Sequence, residues 1–144
     1  MKFKFRYDSV LAVKELLVSE KQKELSEINI RIENAKQLLS DLKQEILSVS
    51  YSMENNKIKS EELVQYKSYQ NFLLEKIKNQ RGIIKSVESE REIKLKELIS
   101  LNKEHKIIES LKKKHFDLFN DRRRKLEEKL MNEFAVQKFV RSEK

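Results

Sequence analysis

The sequence predicts an all-α fold, in which two long helices form an antiparallel coiled-coil hairpin with a C-terminal single-helix overhang. Three observations carry the prediction. Apolar residues recur at Leu25, Ile28, Ile32, Ala35, Leu39, Leu42, Ile46, Val49 and Met53 in alternating steps of three and four, a heptad seam that lays one narrow stripe against another helix. A second stripe, Leu63, Tyr66, Gln70, Leu73, Ile77, Gln80, Ile84 and Val87, has the same spacing, with glutamine at two positions. Turn formers are nearly absent: the 144 residues include one glycine and no proline, while 39% are charged, which is the composition of long helices.

The same composition excludes several functions. The apolar fraction of 38% sits in stripes too narrow to close a sizeable core, so stability must come from the seam and from partners. Without cysteine there is no disulfide, thiolate nucleophile or sulfur-ligated metal. Lys2, Lys4 and Arg6 ahead of an apolar run resemble the start of a signal peptide, but Lys14 and Glu15 interrupt that run. No apolar stretch approaches the roughly 20 residues of a membrane span, so no membrane insertion and a cytoplasmic location are expected.

The chain reads as a single coiled-coil domain, 1–144, with helix 1 at about 8–54, a turn at about 55–60 and helix 2 at about 61–141. Asp8 is placed to cap the first helix, although Phe3, Phe5 and Tyr7 could extend it backwards. Its stripe begins Val10, Val13, Leu17 and then passes through Lys21 to Leu25 in four-residue steps, a stutter that locally unwinds a supercoil. At Glu54 to Lys59 an asparagine can adopt the left-handed conformation that closes a helix. Ser60 is a cap candidate for the second helix, with Glu61 and Glu62 suited to its first turn. That helix repeats the stutter from Val87 through Arg91 to Leu95, before Leu98, Leu101, His105 and Ile108.

Folding back near Lys57 sets Lys21 opposite Leu95 and Leu25 opposite Arg91, so the two irregularities fall side by side. The same register brings Met1 near His115 and leaves roughly the last 30 residues, about 45 Å of helix, without a partner from this chain. An isolated helix of that kind is marginal unless something packs on it.

The candidates for function lie at that open end and after the turn. From Lys112 to Lys144 eleven basic residues stand against six acidic ones, and Lys2, Lys4 and Arg6 stand against Asp8, so nearly all of the chain's net charge of +8 is there. Such a run is either a solvated surface or an electrostatic footprint for an acidic partner. Nucleic acid is the weaker choice of partner, because Asp117, Asp121, Glu127 and Glu128 interleave with Arg122, Arg123, Arg124 and Lys125 and would repel phosphates. Phe116, Phe119, Leu126, Leu130 and Phe134 share one helix face, yet Met131, Ala135, Val136, Phe139 and Val140 cover the others. A helix apolar all round is normally buried, which favours insertion into a partner over a frayed terminus. Tyr66, Tyr69, Phe72 and Leu73 form an aromatic-rich patch that is either a widened seam or a docking surface. Gly82 falls on the outer face. His105 and His115 are wrongly spaced for ligands on adjacent turns, one glycine cannot build a phosphate loop, and no catalytic constellation is present; no metal or cofactor is expected.

Three segments resemble the family of the flagellar export protein FliJ: the opening Phe3-Lys4-Phe5-Arg6-Tyr7 followed by Val10-Leu11, the segment from Tyr66 to Ile77, and the closing Leu126 to Arg141. The resemblance spans nearly the whole chain and implies a non-enzymatic coiled-coil component of the type III export apparatus, peripheral to the inner membrane. It implies as partners the hexameric export ATPase and its regulator, the cytoplasmic domain of the export gate, and export chaperones that the protein escorts. For the family, the paired termini enter the ATPase pore like the central stalk of a rotary ATPase and promote assembly and hydrolysis. Residues implied at the ring are Arg122, Arg123, Arg124, Leu130, Phe134 and Phe139, and at the gate Tyr69, Phe72 and Leu73. Asn132 stands where the family pattern usually has aspartate. The alternative is a generic coiled-coil adaptor or chaperone, with a basic-helix nucleic-acid binder behind it.

Overall fold

The computed structural model describes residues 2–55 and 59–143, which form two helices packed against each other: α1, Asp8–Asn55, and α2, Ser60–Glu143. The described residues contain no strand. Residues 56–58 lie outside the description, and with them half of the expected turn, including Asn56 and Lys57. The helices begin one residue earlier than side-chain capping suggested. The Leu11 amide donates to the Tyr7 carbonyl at 2.9 Å and the Leu63 amide donates to the Lys59 carbonyl at 2.9 Å, so Tyr7 and Lys59 hold the cap positions. Asp8 instead sits in the first turn, where negative charge suits the helix dipole, and its carboxylate pairs with Lys112 at 2.9 Å.

The chain divides into two compact units, Ser19–Ile99 and Met1–Val18 with Ser100–Lys144. In the first of these the seam is the one the spacing predicts. Ile28, Ile32 and Val87 form a buried cluster, and Leu73, Ile77, Ile84 and Leu98 are also buried. The two seam glutamines are satisfied across the interface: Gln80 donates to the Ala35 carbonyl at 3.0 Å, and Gln70 donates to Ser50 Oγ at 3.1 Å. Flanking pairs Arg31 with Glu90 and Lys36 with Glu88 give the antiparallel sense.

The expected stutters are absent. In α2 Leu95 is 39% exposed, whereas Lys94 and Leu98 continue the heptad from Val87 through Arg91. Lys21 accordingly faces Glu97, at 2.6 Å, and not Leu95. In α1 Val10 and Val13 point outward and Leu11 is buried, so that Leu11, Lys14, Val18, Lys21, Leu25 and Ile28 keep alternating steps of three and four. The irregularity came from counting only apolar residues as seam residues; lysine stems can cover a seam while their ammonium groups reach its edge.

In the unit formed by residues 1–18 and 100–144, the segment before α1 is not helical. It runs irregularly, with Phe5 5% exposed and set edge-on against His115, ring centroids 5.6 Å apart. Phe3 lies against Phe116 at 5.2 Å and Phe119 at 5.5 Å. Met1, expected near His115, is outside the described residues. Lys14 pairs with Glu104 at 2.6 Å, and His105 contacts Glu15 at 3.4 Å and Glu109 at 3.6 Å. The last partly covered positions of α2 are Phe119 and Asn120; from 121 to 143 every residue is exposed.

Candidate functional site

Among the described residues no group of His, Asp or Glu side chains could hold a metal ion, and no helix is long and apolar enough to cross a membrane. The features that could act on another molecule are side chains carried on helix surfaces, and three groups of them stand out.

The first is the exposed end of α2. Leu130, Phe134, Val136, Phe139 and Val140 are 47%, 69%, 62%, 62% and 51% exposed, and they point to several sides of a helix that nothing else covers. Arg122 to Lys125 introduce this stretch, but two of the arginines are already engaged along their own helix: Arg124 lies 3.7 Å from Asp121, and Arg123 lies 3.9 Å from Glu127. Those acids reduce the field that a phosphate would meet. An apolar surface of this extent on a lone helix, rimmed by charge, is the signature of an interaction site.

The second group is the aromatic strip on α2. Tyr69 and Phe72 are stacked, centroids 6.2 Å apart, and are 39% and 50% exposed. Lys76 places its ammonium 4.8 Å from the centre of the Phe72 ring. The Tyr69 hydroxyl donates to the Glu45 carboxylate on α1, and that bond, helped by partial desolvation, raises the Tyr69 pKa above its ordinary value. Leu73 behaves differently. At 2% exposure it is the most deeply buried side chain of the chain's described residues. Tyr66, two turns earlier in the same seam, is half-buried. The patch therefore combines regular seam positions, Leu73 and Tyr66, with an accessible aromatic surface beside the seam, at Tyr69 and Phe72.

The third group was not visible in the apolar pattern. Lys21 and Glu24 on α1 meet Lys94 and Glu97 on α2 in a ring of alternating charge: Lys21 to Glu97 is 2.6 Å, Lys21 to Glu24 3.2 Å, Lys94 to Glu24 3.3 Å and Lys94 to Glu97 3.8 Å. Glu97 holds Lys21 well above the ordinary lysine range, with Glu24 adding to it, and Lys21 in turn holds both carboxylates below theirs. The signal that could have found it is the pair of i, i+3 Lys/Glu steps, Lys21 to Glu24 and Lys94 to Glu97, at the places where the apolar stripes lapse.

The sequence model of the family described as "Flagellar FliJ protein" matches residues 3–144. Among curated proteins and among solved structures nothing matches.

Proposed function

The chain belongs to the flagellar FliJ protein family, a component of the flagellar type III export apparatus, and from that premise we propose that it works as a stalk-like, non-enzymatic coiled coil that inserts the end of α2 into the hexameric export ATPase. The observation that carries this reading is the exposed segment 121–143, apolar on several sides and left bare by the rest of its unit. A ring that surrounds a helix is the kind of partner that can cover all its sides at once, and burying each aromatic side chain there would contribute on the order of 2 kcal/mol. Phe134 and Phe139 are the anchors in this reading, and Leu130 lies one turn from Phe134. Arg122, Arg123 and Arg124 steer the end toward an acidic pore mouth.

The aromatic strip is the proposed contact for the cytoplasmic domain of the export gate. Tyr69 and Phe72 make the contact, and Leu73 holds them in place from within the seam. Work at these partners places the protein in the cytoplasm, peripheral to the membrane apparatus, where the ATPase regulator and export chaperones are further partners.

The test is stimulation of the cognate ATPase by purified protein. Phe134→Asp with Phe139→Asp, or deletion from Leu126 onward, is expected to abolish stimulation while the hairpin stays folded by circular dichroism. Undiminished stimulation by the deleted chain would overturn the insertion reading.

A further inference from the structure

Two residues along a helix are a rotation of about 200°, so Leu74 and Leu47 lie on the face of the Ser19–Ile99 unit opposite Phe72 and Glu45. There the surface is hollowed into an open groove of about 480 Å³, with Ile46 and Ile77 as its floor and Leu47 and Leu74 as its walls. Ile77 belongs to the seam and is 6% exposed, whereas Leu47 and Leu74 are 68% and 52% exposed. Nothing in the unit covers these leucines in the way that Lys76 and Glu45 accompany the aromatic strip.

The groove is rimmed by Lys43, Lys78 and Arg81 and lined by no carboxylate. None of these three cations forms an ion pair among the described residues, whereas Lys21, Arg31, Lys36 and Lys94 of the same unit each pair with a glutamate across the helices. An apolar trough between helices with positive charge on both banks is complementary to a helix that carries an apolar stripe flanked by acids. It is not complementary to a second copy of this chain. Pairing the face on itself would oppose Lys43, Lys78 and Arg81 to their own copies, and the exposed end of α2 carries the same sign.

We infer that this groove docks an acidic amphipathic helix of another protein, on a face distinct from both the aromatic strip and the exposed end of α2. The stripe of that helix seats against Leu47 and Leu74, and its flanking glutamates or aspartates meet Lys43 on one bank and Lys78 and Arg81 on the other. The rim charges set orientation and specificity, and the leucines supply the buried area.

The test uses the full chain and a fluorescent synthetic helix of about 18 residues, five turns, with leucine at i, i+3, i+4 and i+7 and glutamate at the flanking positions. A second peptide replaces each glutamate by lysine. Anisotropy titrations at moderate salt are expected to give binding of the glutamate peptide at least about tenfold tighter than the lysine peptide. Leu47→Asp with Leu74→Asp should weaken it by at least about tenfold, whereas Phe72→Ala should leave it unchanged. Lys43→Glu, Lys78→Glu and Arg81→Glu together should reverse the preference, which a merely unfolded variant could not do. Equal binding of the two peptides, no binding of either, or loss of binding with Phe72→Ala would overturn the inference. So would a dimer in light scattering that Leu74→Asp dissolves, since the face would then belong to a second copy.

Discussion

Leu73 and Phe72 are adjacent in sequence and about 100° apart around the helix, one 2% and the other 50% exposed, so their truncations should be felt differently. Leu73→Ala leaves a cavity in the seam and is expected to cost about 2–5 kcal/mol in urea unfolding, against less than about 1 kcal/mol for Phe72→Ala, which loses exposed area and one cation–π contact. A comparable loss for both would mean that Phe72 is a seam residue. Gly82 allows the reverse experiment: a Cβ built there meets nothing within 4 Å and the residue is mid-helix, so Gly82→Ala should raise stability by roughly 1 kcal/mol. The charged ring predicts a pH dependence whose sign follows from its shifts. Glu24 and Glu97 are held below the ordinary carboxylate range, so their contribution is present above that range and is lost as pH falls through their lowered values. Lys21 is held above the lysine range; its contribution is full below that range and is lost only as pH rises beyond it. The difference in thermal midpoint between the native chain and Glu24→Gln with Glu97→Gln should therefore be constant near neutrality and shrink as the solution is taken below about pH 4. A difference independent of pH would show that the ring does not couple to folding.

Along α1 and α2, the apolar stripes from Leu25 to Met53 and from Leu63 to Val87 were readable because hydrophobic side chains repeat where the pairing surface lies. Their buried members, Ile28, Ile32, Leu73, Ile77, Ile84 and Val87, are the seam. What could not be read is the seam where charge replaces hydrophobe. Lys14, Lys21 and Lys94 occupy seam positions through their alkyl stems, and a count restricted to apolar residues shifts to Val13 and Leu95, which are outside. The aromatic strip was readable as a departure from the heptad, since Tyr69 and Phe72 add apolar area where the seam does not need it. The groove beside Leu47 and Leu74 was not, because it takes side chains from both helices and needs the register to bring them together. A charged layer in a coiled coil fixes register at some expense in stability, because wrong registers leave its members unpaired. Replacing Lys21 and Lys94 by leucine, with Glu24→Gln and Glu97→Gln, should thus raise the thermal midpoint while loosening register. Distances between spin labels at Asn34 and Lys85, on exposed sites of the two helices, should be short and narrowly distributed in the native chain and broader in the variant. An equally narrow distribution would assign register to the apolar layers and to Gln80 alone.

The aromatic strip belongs to the Ser19–Ile99 unit, and among the described residues the ion pairs and the hydrogen bond found beyond Asn120 run along their own helix. Removing Leu126 to Lys144 takes away a segment whose described residues, 126–143, are all exposed, and should change the thermal midpoint little, consistent with less than about 0.5 kcal/mol, while ATPase stimulation disappears and gate binding persists. Tyr69→Ala with Phe72→Ala should show the opposite pair of effects. Charge separates rate from occupancy in the same experiment. Arg122, Arg123 and Arg124 are exposed, and exposed charges act over about a Debye length, near 10 Å at ordinary ionic strength. Changing all three to glutamine should slow association with the ATPase and flatten its dependence on salt, whereas Phe134→Asp with Phe139→Asp should speed dissociation and leave that dependence in place. Stopped-flow association at several salt concentrations distinguishes the two, and equal salt dependence in the native and glutamine proteins would mean that the arginines are a solvated surface rather than a guide into the ring.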